Sequence, residues 1–203
     1  MSQFPHYKER FNAVLLLGAP GSGKGTLGKA IASSAGCIHI SSGDIFRGLS
    51  PDSPAGELFH AYAGKGALVP DEATVAIWHQ YIQGLIATNR YFPQEQLLIL
   101  DGIPRTYAQT VLLDPYVNMR AILVLEMSNK HALFERLKKR AKIEGRSDDI
   151  DEAVLLKRMD VYQKETVRLL DHYPKEIVHH IQADAPPPIV LRDALKALTA
   201  LFL

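Results

Sequence analysis

Val14-Leu15-Leu16-Leu17-Gly18-Ala19-Pro20-Gly21-Ser22-Gly23-Lys24-Gly25-Thr26 reads as a short buried strand running straight into a glycine-rich loop, with a helix starting near Lys24. Glycines admit positive φ angles and a close backbone approach, so successive N–H groups can wrap a phosphate. The opening turn of the helix adds unpaired N–H groups and the positive end of its dipole. Lys24 supplies a full charge that can reach outer phosphates, and Thr26 a hydroxyl suited to a magnesium shell. The general form of such loops places Ser or Thr directly after the lysine; here Gly25 intervenes.

Working outward, apolar strands alternate with helical stretches. Cys37–Ile40, residues 97–100, Ala121–Leu125 and Ile177–Ile181 join Val14–Leu17 as five short buried strands. Helices are expected over 24–34, 55–63, 71–88, 105–113, 129–142, 152–172 and 189–203. Asp71 is expected to cap the third, and Pro186-Pro187-Pro188 to form a stiff turn before the last. This alternation predicts an α/β fold with a five-stranded parallel sheet between two helical layers. Ligands in such folds lie at the carboxyl ends of the strands. The glycine loop, Ser42 and Asp101 each follow a strand directly, so they are expected at one edge. Asp101, at the end of an apolar strand, stands where a magnesium-directed carboxylate belongs.

A chain of 203 residues with 47% apolar and 22% charged residues is sized and composed for one core, and its net charge of +1 gives no pull toward nucleic acid. Cys37 is the only cysteine, which excludes an intrachain disulfide and a cysteine-based zinc site. Cys37 and His39 read as packing residues. No apolar run approaches a membrane span, and residues 1–11 contain no signal-like apolar stretch. A cytoplasmic enzyme fits these features.

Six arginines, Arg47, Arg105, Arg136, Arg140, Arg146 and Arg158, lie in or beside turns. Between Lys130 and Arg146 there are seven Lys or Arg against two Glu. For Lys138, Lys139 and Lys142 a solvated helix face is the preferred reading. The arginines instead suit a polyphosphate site, because planar guanidinium groups clamp two oxygens at once. No aromatic platform is interleaved with the basic run, as single-stranded nucleic acid would want.

Together, Gly18–Thr26, Ser42-Gly43-Asp44-Ile45-Phe46-Arg47, Gly66-Ala67-Leu68-Val69-Pro70-Asp71, Asp101-Gly102-Ile103-Pro104-Arg105-Thr106 and Gly145-Arg146-Ser147-Asp148-Asp149 resemble, in order and spacing, the motifs of adenylate kinases, which are nucleoside monophosphate kinases. The resemblance spans roughly Val14 to Glu165. It implies a P-loop NTPase three-layer fold, as one kinase domain over 1–203. Its core would be 12–41, 89–135 and 151–203, with a helical NMP-binding insert over 42–88 and a short lid over 136–150.

By the same resemblance, Gly21, Ser22, Gly23, Lys24, Gly25 and Thr26 would bind the phosphates of ATP, and Arg136 would lie against its adenine. Ser42, Arg47, Leu68, Val69, Gly102, Arg105 and Gln109 would form the AMP site. Lys24, Arg105, Arg140, Arg146 and Arg158 would be catalytic. Thr26 and Asp101 would serve Mg2+, the latter through water. Asp148 and Asp149 would be lid carboxylates that meet arginines on closure. The implied reaction is reversible transfer of the γ-phosphoryl group from Mg-ATP to AMP, giving two ADP, by a monomer without zinc.

Three departures from the family pattern stand out: a short connection over 141–149, an added Ile150, and Ile103 in place of the usual phenylalanine. UMP/CMP kinases share the short lid, but usually carry asparagine at the position of Thr106. Pro104-Arg105-Thr106 followed by Gln109 is the adenylate-kinase arrangement. A nucleotide-binding module without transferase activity would not need all six arginines.

Overall fold

The computed structural model describes residues 8–63, 65–145 and 151–202. Five strands form one parallel sheet in the order β2-β3-β1-β4-β5: β1 Phe11–Gly18, β2 Ile38–Ser41, β3 Leu98–Asp101, β4 Val117–Glu126 and β5 Val178–Gln182. The first strand is the middle one, and its residues 13–17 are all at most 2% exposed. Its alternation supplies two cores at once. Ala13, Leu15 and Leu17 face one helical layer, which includes Trp78, Ile82 and Leu85, and Phe11 meets Trp78 edge to face at 6.2 Å. Val14 and Leu16 face the other, with Leu27, Ile31, Ala194 and Leu198. The expected three-layer α/β fold is therefore present.

The register aligns the working ends. Leu16 pairs with Asp101, and Asp101 pairs with Ser41, so the chain leaves β1, β2 and β3 at one level. Among the described residues, eight α-helices carry it onward: α1 Lys24–Ala35, α2 Ser42–Arg47, α3 Pro54–Ala63, α4 Asp71–Ala87, α5 Tyr107–Leu113, α6 Lys130–Glu144, α7 Glu152–Val161 and α8 Pro187–Phe202. Among the described residues, none is long and apolar enough to cross a membrane.

Four local expectations need correction. Asp71 does not cap α4; Pro70 holds that place, and Asp71 is the first helical residue. The helix expected over 152–172 is α-helical only to Val161. It then widens into a π turn over Tyr162–Thr166 and tightens into a 3-10 stretch over Val167–His172, with Thr166 and Leu169 buried. The last helix starts at Pro187 rather than Ile189, since a first-turn proline gives up an N–H that has no intrahelical acceptor. β4 starts four residues before the expected Ala121, and Arg120 bulges out where the register against β1 shifts.

Candidate active site

The loop after β1 lines the cleft from Gly18 to Thr26, Ala19 excepted. Gly23 precedes α1 at φ 97°, and no side chain caps the helix, so its first N–H groups point into the cleft. Gly21 has φ 84°, and a Cβ there would lie 2.8 Å from the Leu133 carbonyl oxygen. The Ser22 hydroxyl is buried without a hydrogen-bond partner. Lys24 Nζ meanwhile donates to the carbonyls of Gly18 at 2.6 Å and Ala19 at 3.1 Å. Burial pushes its pKa down to about 8; Arg105, Arg140 and Arg158 push the same way, and Asp101 opposes them. All three arginines line the same cleft as the lysine.

Asp101 ends β3 and is 8% exposed. Burial alone would raise its pKa, but His39, Lys24 and Arg105 outweigh it and hold the carboxylate below its ordinary value. His39 Nε2 stands 3.4 Å from Asp101 Oδ2, close but not aligned as a directed hydrogen bond. The ring fits because Gly28 lies beneath it; a Cβ on Gly28 would stand 2.3 Å from His39 Cδ2. His39 is thus more than packing, although an isolated histidine on a strand gives no hint of this. Cys37 is what the sequence suggested, a buried thiol with its pKa raised by that burial.

The opposite side of the cleft is built around Gly102, at φ 78°. Its carbonyl accepts from Ser42 Oγ at 2.6 Å and from Arg105 Nε at 2.8 Å. A Cβ on Gly102 would lie 2.8 Å from Ser42 Oγ and 2.9 Å from Arg105 Nη2. The Arg105 backbone is held twice more: its N–H donates to Gln109 Oε1 at 2.7 Å, and its carbonyl accepts from Thr166 Oγ1 at 2.8 Å. Gln109 Nε2 and Thr106 Oγ1 both donate to Asp71 Oδ1, at 2.8 and 3.0 Å. Arg47 folds against Asp44, with Nη2 to Oδ1 at 2.6 Å.

One cleft of about 850 Å³ is bordered by the glycine loop on one side and by Ser42, Arg47, Gly102, Arg105 and Gln109 on the other. Gly25, Thr26, Leu68 and Val69 line it, as do Arg136, Arg140 and Arg158. Arg136 donates to the Ala183 carbonyl at 3.4 Å and contacts Met127 Sδ at 3.2 Å. Lys138, Lys139 and Lys142 are exposed as expected, although Lys139 also reaches the rim. Arg146, Asp148, Asp149 and Ile150 lie outside the described residues. Sequence reasoning missed Thr166, the partners of Asp71, and an apolar wall of Ala183, Ala185, Pro187 and Pro188. Only the proline run was a visible signal, and the stiff turn expected there is instead the start of α8, with Pro187 and Pro188 as its first residues.

A phosphate-wrapping loop behind a central parallel strand, a carboxylate ending the next strand and converging arginines define a phosphate-loop kinase for small phosphorylated substrates. The family model for adenylate kinase matches residues 16–178. Among curated relatives, the adenylate kinase of Micrococcus luteus is 39% identical over 166 residues, covering 79% of this chain and 77% of its own. That of Parabacteroides distasonis is 37% identical over 171 residues, covering 82% and 86%. That of Chlamydia trachomatis serovar L2 is 32% identical over 222 positions, covering 92% and 90%. The chain belongs to the adenylate kinase family, and its activity is phosphoryl transfer between ATP and AMP. Use of Mg-ATP is general to that family.

Proposed function

We propose that ATP and AMP bind head to head in the cleft, ATP on the Gly21–Thr26 loop and AMP on the side of Ser42, Arg47, Leu68, Val69, Gly102, Arg105 and Gln109. The observation that carries this reading is that Lys24, Arg105, Arg140 and Arg158 all line one cleft with the glycine loop. Such a concentration of cations calls for a polyanion between them.

The attacking AMP phosphate is already an anion, so no general base is needed. Positioning in line and neutralising the charge on the transferring oxygens is the whole task. Lys24 leaves the Gly18 and Ala19 carbonyls for the ATP phosphates, and the loop amides and the Ser22 hydroxyl complete the cradle. Arg105 orients the AMP phosphate, Arg47 exchanges Asp44 for it, and Arg140, Arg158 and Arg146 take the phosphates being exchanged. Arg136 flanks the adenine of ATP. Gln109 reads the adenine of AMP: an amide has two N–H donors and two lone pairs, and Arg105 and Asp71 take one of each.

Thr26 and Asp101 fit Mg2+, because that ion keeps waters and phosphate oxygens and needs few protein ligands. When bound, it neutralises charge on the ATP phosphates. No zinc is expected. Residues 42–88 and 136–150 act as the two closing segments that keep water out. The protein works as a cytoplasmic monomer, with no nucleic-acid or membrane partner.

An acceptor panel of AMP, dAMP, GMP, CMP and UMP, with Mg-ATP as donor, tests the acceptor assignment. AMP should give the highest kcat/KM. A preference for CMP or UMP would overturn it.

A further inference from the structure

Gln109 is 1% exposed, so its amide cannot turn over freely against water. Two groups of opposite kind fix which way it faces. The Arg105 N–H can only donate and meets Oε1 at 2.7 Å; the Asp71 carboxylate can only accept and meets Nε2 at 2.8 Å. A flipped amide would set NH2 against N–H and oxygen against carboxylate, two buried mismatches. Of the two locks, one is backbone. The other is a side chain from a different helix, since Asp71 opens α4 and Gln109 lies on α5. Thr106 Oγ1 also donates to Asp71 Oδ1, at 3.0 Å, while its oxygen accepts from Gln109 N–H at 3.1 Å, so the carboxylate and the start of α5 are bound as one unit.

We propose that Asp71 is a specificity-determining positioning residue, which sets the base preference of the acceptor site by fixing the polarity of the Gln109 amide. This rests on the reading that Gln109 contacts the acceptor base. Adenine presents the acceptor N1 beside the donor N6; hypoxanthine, in IMP, presents N1–H beside O6, the same edge with its polarity reversed. A fixed amide matches one and repels the other. An amide free to turn matches both. Asp71 touches no reacting atom, and its effect passes through Gln109.

The test compares kcat/KM for AMP and IMP, with the KM for ATP as internal control. Because the Arg105 lock remains, Asp71→Ala should lower the AMP-over-IMP ratio by about 5- to 50-fold, mainly through the acceptor KM. Asp71→Asn keeps an acceptor for both donors and should hold the ratio within about threefold. In a Gln109→Ala background, Asp71→Ala should add nothing to the ratio, since its route is gone. If Asp71→Ala does not fold, Asp71→Ser replaces it, being polar but too short to reach Nε2.

The outcomes separate the two claims. A ratio lowered by Gln109→Ala but untouched by Asp71→Ala overturns the role of Asp71 and leaves the base reading standing. An equal loss from Asp71→Ala with and without Gln109 overturns it too, because the effect then bypasses the amide. A ratio unchanged by Gln109→Ala overturns the base reading and the proposal with it.

Discussion

Lys24 Nζ donates to the carbonyl of Gly18 at 2.6 Å, so the ammonium that should meet ATP is turned onto its own loop. Two consequences for pH follow from its lowered pKa. The folded protein releases this proton near pH 8, whereas the unfolded chain holds it toward 10.5. The unfolded state binds more protons across that window, so this group's contribution to stability rises with pH there. Phosphate binding should restore the higher pKa. ATP binding should therefore take up a proton above pH 8 and weaken as pH rises further. Calorimetry in buffers of different ionisation enthalpy, at about pH 8.5, should show uptake of a large fraction of a proton. Lys24→Met should abolish that uptake and lower turnover by roughly 10²-fold or more in a folded protein. Buffer-independent heats in the unsubstituted protein would contradict the assignment.

Gly102→Ala should damage the acceptor side selectively. At φ 78°, with Ser42 Oγ 2.8 Å and Arg105 Nη2 2.9 Å from its Cβ, alanine displaces the arginine that is to hold AMP. We expect a loss of about 1–2 kcal/mol in stability from the backbone conformation. The KM for AMP should rise about tenfold or more, with that for ATP changed far less. Parallel changes in both KM values would show that the glycine matters only to the fold.

Thr166→Val should act on turnover through Arg105. The substitution keeps the shape and leaves the Arg105 carbonyl without its 2.8 Å partner, at a cost of about 1–3 kcal/mol. Turnover should fall about 5- to 20-fold, and Thr166→Ser should recover most of it. A valine variant with normal turnover would make the π turn a matter of packing alone.

What the sequence made legible was the strand-to-loop core of the site. The unbroken apolar run within β1 and the glycines after it state their structure locally, and register then carries Ser42 and Asp101 to the same edge. The contacts between elements were not legible. Nothing near Asp71 announces Gln109, 38 residues away, and an acidic residue after a proline looks like any helix start. The π turn is hidden for a different reason. Its neighbours buried at Leu155, Thr166 and Leu169, with Tyr162 half-buried between them, keep the spacing of an unbroken α-helix. The early part of β4 was lost to polarity, since Asn118 and Arg120 break the apolar run that marks a buried strand.

A ligand joining two adenosines through a phosphate chain should bind more tightly than ATP. It should slow hydrogen exchange in both 42–88 and 136–150, because each head would recruit its own closing segment. Slowing confined to the Gly18–Thr26 loop and α1 would point to a module that binds ATP alone.

The central claim is direct transfer from ATP to AMP, and the stoichiometry of the products tests it most directly. Phosphorus NMR of a mixture of protein, magnesium, ATP and AMP should show two ADP appearing for each ATP and AMP lost. The reaction should run to equilibrium from either side, and inorganic phosphate should stay at background. Phosphate released while AMP remains unconsumed would contradict the account, because the cleft would then deliver the γ-phosphoryl group to water.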